Sequence, residues 1–428
     1  MALTQTQVAA AELERVLPNV PLAYDLDDVV YAKFDAKPVE FISNRQMRHP
    51  LEIRGGGRFG HFDPDGGSLG LGDGPTWDKG VLSVVHLSKP VEYTKQAEWG
   101  TDDARKAVIN VVKSVLKRGM QEFRRSSDSL CMTAGDGVMG TVSAVSTAGG
   151  KDTLTLNTTG SNSSGWGARL LRYGLFNSIY NSGLTVRRTF TGGASSGGEA
   201  PIDLYDLPNN QARYNGTTGA TVAGDKVVVS GLTATPPVSL NGIPYHHSDA
   251  STGTWAGLDR AANPEIRANS VNAASGDLAL PFARLALNKA MDRIGINAGK
   301  KYIALMHPAQ IQAFENLQQL VQIIDRSKGG KSGELYFDQM QIAGIPIVKS
   351  FSCDRTRIDF LAMDTWGRGV LHKPGFYEAD GRKIFEKRST DGSVTTAMIF
   401  YITASWNIFN SNPAAGSYIK TLAVPDGY

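Results

Sequence analysis

Two glycine-containing patterns in the sequence match motifs that bind cofactors or carry a catalytic nucleophile. Gly55, Gly57 and Gly60 match G-x-G-x-x-G, which binds a dinucleotide when a helix opens directly after the glycines and receives the pyrophosphate at its N-terminus. Here the glycines are followed by HFDPDGG, which does not begin a helix cleanly. The pattern therefore favours a loop over a cofactor site.

The second pattern is G-x-S-x-G at Gly193, Ser195 and Gly197. In hydrolases this motif forms a sharp turn between a strand and a helix, which exposes the serine hydroxyl. The sequence SSGGEAP continues from Ser195 and is unsuited to a helix. We interpret this segment as a flexible turn.

Histidines supply the remaining candidates for chemistry. His246 and His247, with Asp249 close by, suggest metal ligands, but adjacent side chains on a strand point to opposite faces and rarely bind one ion. Turn or surface histidines are the preferred interpretation. His307 precedes Pro308 at a predicted helix start, where capping or packing is the expected role. We therefore predict no catalytic residue, no cofactor-binding residue and no metal site, and hence no cofactor.

Composition narrows the class of protein. The 428 residues are 41% hydrophobic and 20% charged, which argues against a wholly disordered chain. The 44 basic and 41 acidic residues give a net charge of +3, so no dedicated DNA-binding domain is indicated. Two cysteines, Cys131 and Cys353, exclude a disulfide framework. The first residues carry no basic signal-peptide region, and we expect a cytosolic protein without membrane spans.

The first hundred residues predict an arm and an extended hairpin. Residues 1–45 combine one short amphipathic helix with a proline-containing stretch that has no sustained period. The glycine-rich segment 54–80 lies between strand-like pieces at 50–54 and 81–87, which predicts a hairpin within residues 46–95. Loops of this length are usually functional, and an isolated hairpin is marginally stable, so we expect it to lie on a neighbouring subunit.

A long helix and a mixed α/β region complete the predicted α+β fold. Thr101 is a suitable N-cap, and apolar residues recur at 3–4 spacing from 101 to 125, which predicts a helix of about 37 Å in a region spanning 96–190. Short alternating runs predict a β-rich region at 138–275, and its part at 191–275 is expected to be an insertion or an extension of the preceding domain. From 276 to 428 helices and strands mix. The first helix there is expected to bury one face, made of Leu278, Phe282, Leu285 and Met291.

This order of elements resembles the major capsid proteins of tailed bacteriophages, whose Hong Kong-type fold is shared with encapsulins and with the floors of herpesvirus shells. The stretches that carry the resemblance are KYIALMHPAQIQAF (301–314), GIPIVKS (344–350) and YEADGRKIFEKRSTDGSV (377–394). By this resemblance residues 1–45 are the N-terminal arm and 46–95 the extended loop. Residues 96–190 are the peripheral domain with its spine helix, and 276–428 are the axial domain with strands that return to the peripheral domain.

The resemblance implies a structural function. The chain is expected to self-assemble into pentamers and hexamers of an icosahedral virion shell in the host cytoplasm, around double-stranded DNA that it contacts non-specifically. Its other expected partners are a separate scaffolding protein, the portal protein and a decoration protein, with no membrane. Contacts between subunits are expected from the extended loop, through Arg54, Arg58, Phe59, His61, Trp77 and Lys79.

Three alternatives stay open at this point. The first is an encapsulin-like compartment that encloses protein cargo. The second is another phage structural protein, from a tail or a decoration layer. The third is a hydrolase or dehydrogenase that uses Ser195 or the glycines at 55–60, which the contexts above disfavour.

Overall fold

The computed structural model describes residues 28–42, 45–57, 61, 72–94, 104–158, 166–195, 197–295, 301–322, 341–342, 344–388 and 393–425. The predicted N-terminal arm therefore lies outside the described residues up to position 27. The chain divides into two compact units. The first comprises Met1–Tyr31, Val84–Asp128 and Val370–Trp406, and the second comprises Ala32–Ser83, Ser129–Gly369 and Asn407–Tyr428. Within the described part of the chain, no helix is both long and apolar enough to cross a bilayer.

Among the described residues, two helices and four strands precede the barrel. They are α1 (Val29–Lys33), β1 (Glu40–Ile42), β2 (Gln46–Arg54), β3 (Thr76–Ser83), β4 (Val85–Thr94) and α2 (Ala104–Leu130). Helix α2 confirms the long helix predicted from the apolar stripe. It extends five residues beyond the predicted end at Arg125, and its 27 residues span about 40 Å.

In the first unit, helix α2 packs closely against neighbouring side chains at a glycine. Gly119 lies in the helix interior, and a Cβ placed on it would stand 3.1 Å from Val91 Cγ2 and 3.2 Å from Ile402 Cδ1. Phe123, one turn later, is buried. Glycine in a helix is intrinsically unfavourable, so its place here follows from the close approach of the helix to apolar side chains.

A buried carboxylate near the end of α2 caps the short helix α1. Asp128 Oδ1 accepts hydrogen bonds from the backbone N–H groups of Val30, at 2.7 Å, and Tyr31, at 2.8 Å. These N–H groups belong to the first turn, where no intrahelical acceptor exists and where negative charge is favourable. Tyr31 also packs edge-on against Trp406, with ring centroids 5.3 Å apart.

Six strands form a closed barrel in the order β10-β5-β6-β9-β8-β7. Its strands are β5 (Val138–Ala148), β6 (Lys151–Leu156), β7 (Phe176–Tyr180), β8 (Ala200–Asp206), β9 (Gln211–Tyr214) and β10 (Lys226–Val229). The β-rich region predicted to begin at residue 138 is confirmed, since β5 begins at Val138. The boundary expected at residue 191 falls between β7 and β8, inside the barrel. Local alternation marks single strands, whereas barrel closure depends on pairing between distant strands, such as β10 with β5 and β7.

Short elements connect the barrel to the next sheet. They are α3 (Ile243–His246), β11 (Thr254–Trp255), β12 (Leu258–Asp259) and a 3₁₀ turn at Pro264–Ile266. The second-unit sheet then has the order β13-β21-β17-β14-β16-β15. Its strands are β13 (Asn269–Asn272), β14 (Tyr302–Met306), β15 (Gln341–Ile342), β16 (Ile345–Lys349), β17 (Ile358–Ala362) and β21 (Ser417–Lys420), with α4 (Leu280–Ile294) and α5 (Pro308–Gln322) between strands. The sequence predicted a strand that ends at Met306 and a helix that begins at Pro308, and β14 and α5 confirm both.

The remaining strands belong to a four-stranded sheet in which β20 pairs with β4, β18 and β19. They are β18 (Trp366–Phe376), β19 (Phe385–Arg388) and β20 (Val394–Asn410). Strand β20 pairs antiparallel with β4 from Val85 opposite Trp406 to Thr94 opposite Ala397.

Helix α4 corrects one sequence expectation. Its buried residues are Ala283, Ala286, Leu287 and Ala290, whereas Leu285, which we predicted to face the core, is 46% exposed. Small alanine side chains let the helix approach its sheet closely, and the larger apolar side chain is left outside. Leu278 is buried and Phe282 packs against the same core, so the predicted face is wrong at Leu285.

Replacing Gly119 with leucine tests the close contact of α2. The larger side chain would overlap Val91 and Ile402, and overpacking of this kind costs about 1–3 kcal/mol in the free energy of unfolding. Thermal and urea denaturation measure the loss. Lys117→Leu, at an exposed position of the same helix, is the control and should lie within about 0.5 kcal/mol of wild type. Equal stability of the two variants would contradict the packing described.

Candidate subunit-contact surface

The segment predicted as the extended loop connects β2 and β3 of a three-stranded sheet, whose strands lie in the order β1-β2-β3. β2 pairs antiparallel with β3 from Gln46 opposite Ser83 to Arg54 opposite Thr76. β1 pairs only with the first residues of β2, Gln46–Arg48. The strand predicted at 50–54 is part of β2, but the prediction at 81–87 has the wrong bounds. Residues 81–83 end β3, whereas residues 85–87 begin β4, which pairs with β20. The second strand of the hairpin begins at Thr76, inside the segment predicted as a loop, and the two side-chain faces of the hairpin differ in burial.

The inner face of the hairpin depends on a glycine opposite a histidine. Met47, His49, Leu51 and Leu82 are buried, and Gly80 is the cross-strand partner of His49. A Cβ on Gly80 would lie 2.4 Å from His49 Cε1 and 2.6 Å from Nε2. No side chain larger than hydrogen fits there, so Gly80 provides the space for the imidazole.

The His49 ring is enclosed on its other sides as well. Its centroid is 5.3 Å from that of Phe409 and 6.3 Å from that of Trp255. Burial, opposed in part by a backbone hydrogen bond with Asn410, lowers the pKa of His49 from 6.5 to about 4. The imidazole is therefore neutral at neutral pH.

His246 makes two hydrogen bonds that fix its tautomer. Trp255 Nε1–H, which can only donate, donates to His246 Nδ1 at 3.0 Å. The Nε2 atom must then carry the proton and donate to the Ile408 carbonyl, 3.2 Å away. Burial lowers the pKa of His246 to about 3. The sequence interpretation of His246 and His247 as turn or surface residues is wrong, because both are completely buried.

His247 belongs to a buried charge network. Its Nδ1 lies 3.2 Å from Asp359 Oδ1, and Arg357 binds both carboxylate oxygens of Asp359 through Nε and Nη2. The Arg357 guanidinium also stacks on Tyr418 at 3.9 Å. Burial raises the pKa of Asp359, but Arg357 and His247 outweigh it and lower that pKa overall. Among the described residues, no group of three or more histidine, cysteine or acidic side chains is arranged to hold a metal.

The outer face of the hairpin is exposed and carries an aromatic residue. Because alternate residues share a face, Trp77, Lys79 and Val81 lie on the same face as their partners Glu52, Pro50 and Arg48. Trp77 is 62% exposed. A cavity of about 550 Å³ is lined by Trp77, Lys79, Pro50 and Arg48 together with Glu40, His49 and Asp78. We call Arg48, Pro50, Glu52, Trp77 and Lys79 the outer hairpin face.

The free edge of β3 is partly occupied by groups of the same chain. Val81 N–H points away from β2 and donates to the Ala256 carbonyl at 2.8 Å. Lys79 N–H, two residues earlier, points to the same side and donates to Asp78 Oδ1 at 2.7 Å. Pro50, the cross-strand partner of Lys79, lies in the part of β2 that does not pair with β1. A missing N–H costs least at such a position.

The six predicted contact residues lie in different surroundings, and their contact with another subunit stays a prediction. Trp77 and Lys79 lie together on the outer hairpin face, and His61 is exposed. Arg58 and Phe59 lie outside the described residues. Arg54 turns toward its own chain instead: Nε donates to Glu265 Oε1 and Nη2 to the Ala262 carbonyl, both at 3.0 Å. No local pattern indicates this partner, because Glu265 is 211 residues away.

Among the described residues, no helix follows either glycine pattern before the next strand. Ser195 Oγ donates to the Gly192 carbonyl at 2.6 Å, and the next regular element is strand β8 rather than a helix. Gly55 and Gly57 follow β2 as irregular chain, and Gly60 lies outside the described residues. His307 Nδ1 accepts the Ala309 N–H at 3.0 Å, which confirms the capping role expected at the start of α5.

Comparison with known proteins gives similarities of structure and none of sequence family. No family model matches the chain, and no curated protein matches it. Among solved structures, the chain is similar to the cyanophage A-1(L) capsid, at 13% identity and a TM-score of 0.49, with 96% of this chain and 99% of that chain covered. It is also similar to the mature capsid of bacteriophage PhiM1, at 12% identity and a TM-score of 0.41, with coverages of 94% and 90%.

A third similar structure is the SrpI encapsulin complex from Synechococcus elongatus PCC 7942. The identity is 10% and the TM-score 0.43, with 100% of this chain and 99% of that chain covered.

Substituting Gly80 tests whether this glycine provides the space for the His49 imidazole. Gly80→Ala should lower the free energy of unfolding by about 1–3 kcal/mol, since the new methyl group overlaps an imidazole that cannot move away. In a His49→Ala background the same substitution should cost much less, because the overlapping atoms are gone. Urea denaturation of the four proteins gives the coupling. Gly74→Ala, where a Cβ meets nothing within 4 Å, is the matched control, and purely additive costs would refute the proposed overlap.

The buried histidines predict acid sensitivity. For His49 the folded pKa of about 4 lies below the unfolded value of 6.5, so between these pH values the unfolded chain binds a proton that the folded chain excludes. Stability should therefore fall as pH falls through this window, by up to about 1.4 kcal/mol per pH unit for each such histidine. Urea denaturation between pH 7.5 and 4.5 measures the slope. His49→Gln should reduce that slope, and an unchanged slope would contradict the assignment.

Proposed function

We propose that this chain is the major capsid protein of a tailed bacteriophage and that it acts by assembly rather than by catalysis. The observation that carries the proposal is the hairpin of β2 and β3, whose inner face is packed against its own unit while its outer face leaves Trp77 62% exposed. An exposed tryptophan beside charged groups is typical of a protein contact. The order of elements that carries the sequence resemblance is the second support.

The proposed contact is a heterologous one, in which the outer hairpin face of one copy meets a different surface of the next. Such contacts close into rings when the rotation between copies closes, which suits pentamers and hexamers of an icosahedral shell. Each stable contact needs about 1,000 Å² or more of buried surface, so the hairpin must act together with other parts of the subunit. Trp77 is the proposed anchor, with Lys79 on the surrounding rim.

The finer partners belong to the same proposal. The shell would enclose double-stranded DNA, and the near balance of charge at +3 fits a non-specific contact rather than sequence recognition. A separate scaffolding protein would guide assembly in the host cytoplasm. The portal protein would occupy one vertex, and a decoration protein is a further proposed partner. The extended-loop residues Arg58, Phe59 and His61 stay proposed contacts between subunits.

Negative-stain electron microscopy of the recombinant chain, alone and with candidate scaffolding proteins, tests the assignment. We expect closed, thin-walled shells or flat hexameric sheets. Nuclease-protected DNA inside particles from infected cells would support the virion assignment, whereas protein cargo would favour an encapsulin-like compartment. Monomers or dimers under every condition would overturn the proposal, and tubes or trimers would instead indicate a tail or decoration protein.

The role of Trp77 is tested separately. Trp77→Ala should leave the stability of the unassembled chain within about 0.5 kcal/mol, because the side chain is exposed. Loss of a tryptophan anchor costs about 2 kcal/mol or more per contact, so the critical concentration for assembly should rise by about thirtyfold. Light scattering measures it. Tyr173→Ala, at an equally exposed barrel position (62%), is the control, and an equal effect of both variants would remove Trp77 from the contact.

A further inference from the structure

The loop between β16 and β17, residues 350–357, lies over the beginning of α5. Ser350 N–H donates to the Met306 carbonyl at 3.2 Å, and the Gln310 side chain donates to the Arg355 carbonyl at 2.7 Å. Because β14 and β16 are parallel, the loop stands at the carboxyl ends of two parallel strands. In open α/β sheets, ligands commonly bind outside this edge.

Arg169 reaches the same loop from the segment between β6 and β7. Its Cζ lies 4.6 Å from the centroid of the Phe351 ring, and the His307 ring meets that phenyl group edge-on, with centroids 5.7 Å apart. The neighbours of Arg169 in sequence, Ala168 and Leu170, are buried and hold its backbone in place. The guanidinium is therefore positioned beside the loop by a buried turn and by a cation–π contact.

Arg355 brings a second guanidinium close to the first. Burial and the charge of Arg169 lower the pKa of Arg355, and the charge of Asp354 opposes them. Burial, and then the charges of Arg355 and Arg169, lower the pKa of His307 to about 3, so the imidazole is neutral at neutral pH. Asp354 Oδ1 is engaged by the N–H and the hydroxyl of Thr356. Two guanidiniums against one carboxylate leave this place with net positive charge.

The Arg355 guanidinium has no partner among the residues that the structure describes, where it makes neither a hydrogen bond nor an ion pair. It is half-buried, and a charged group in that position is costly without a partner. The first N–H groups of α5 are engaged, Ala309 with His307 Nδ1 and Gln310 with the His307 carbonyl. The helix end thus adds its dipole, which favours negative charge, but the donors that remain are those of Arg355.

We propose that Arg169 and Arg355 bind a phosphate-type oxyanion between them, at the carboxyl ends of β14 and β16. Guanidinium groups bind phosphate oxygens through parallel N–H donors. A carboxylate needs only one guanidinium, as Arg357 shows by binding both oxygens of Asp359. Two arginines suit the larger charge and the additional oxygens of a phosphate. Phe351 is a positioning residue for Arg169, and the inference holds whether or not the chain forms a shell.

Phosphate binding by the full-length chain, at a concentration below assembly, tests the site. Melting temperatures are measured in sodium phosphate and in sodium chloride of equal ionic strength, and calorimetric titration with inorganic phosphate gives the affinity. We expect phosphate to raise the melting temperature of the wild-type chain above its value in chloride. Arg355→Gln should be as stable as wild type in chloride, because this guanidinium has no partner to lose. It should bind phosphate about tenfold more weakly or worse, the loss expected for one charge-assisted contact.

Two variants separate a built site from a general effect of charge. Arg355→Lys keeps the charge but loses the planar fork, so its phosphate affinity should lie between those of wild type and Arg355→Gln. Arg284→Gln removes an exposed arginine from α4 of the same unit and should bind phosphate as wild type does. Equal weakening by Arg284→Gln and Arg355→Gln would overturn the site, as would equal melting temperatures of the wild-type chain in the two salts.

Two further probes identify the source of the oxyanion. If the phosphodiester of a nucleic acid occupies the site, a fluorescent duplex oligonucleotide should bind wild type more tightly than Arg355→Gln, and inorganic phosphate should displace it at equal ionic strength. If free phosphate is the ligand, both proteins should bind the oligonucleotide equally. Stabilisation by sodium acetate equal to that by phosphate would indicate a carboxylate of a protein partner, and would overturn the proposal.

Discussion

The hydrogen bond from Trp255 to His246 is the interaction on which much of the second unit depends. It leaves both imidazole nitrogens of His246 engaged, one with Trp255 and the other with the Ile408 carbonyl. Only the neutral ring satisfies this arrangement, because protonating Nδ1 would set two donors against each other. Trp255 in turn packs against His49 of the hairpin, and its neighbour Ala256 accepts the Val81 N–H. The base of the proposed contact surface is therefore built on a neutral imidazole.

A second buried cluster contributes specificity rather than raw stability. Arg357, Asp359 and His247 are all buried, and taking such charges from water is costly even when they pair well. Loss of one partner leaves the other charge uncompensated, which is the expensive case. Strand β17 supplies Asp359, and Tyr418 on the neighbouring strand β21 stacks under Arg357. The network thus fixes which strands meet and in which register.

The sequence predicted the elements better than their contacts. The apolar stripe of α2 and the start of α5 at Pro308 follow from local rules of spacing and helix initiation. Barrel closure depends on strands that are tens of residues apart, such as β10 with β5 and β7. The buried His246 and His247 contact Ile408 and Asp359, which are more than a hundred residues away. No local pattern reports either.

The residues of the candidate surface also divide into those that a local pattern predicts and those that it does not. Trp77 and Lys79 were predicted as loop contacts and lie together on the outer hairpin face, since alternation along a strand is a local property. Arg54 was predicted together with them but binds Glu265 of its own chain. The residues next to Arg54 in the sequence do not indicate this partner. On α4, the alanines face the core because close packing selects small residues, and hydrophobicity alone favoured Leu285.

The capped edge of β3 has a consequence for the chain before it meets its neighbours. An uncovered strand edge recruits other strands without selectivity and leads to aggregation. Here the Asp78 carboxylate occupies the Lys79 N–H, and Ala256 occupies that of Val81. Copies of this chain that meet in a crowded cell therefore find these two N–H groups already engaged, so that side chains more than unpaired backbone decide which encounters at this edge last.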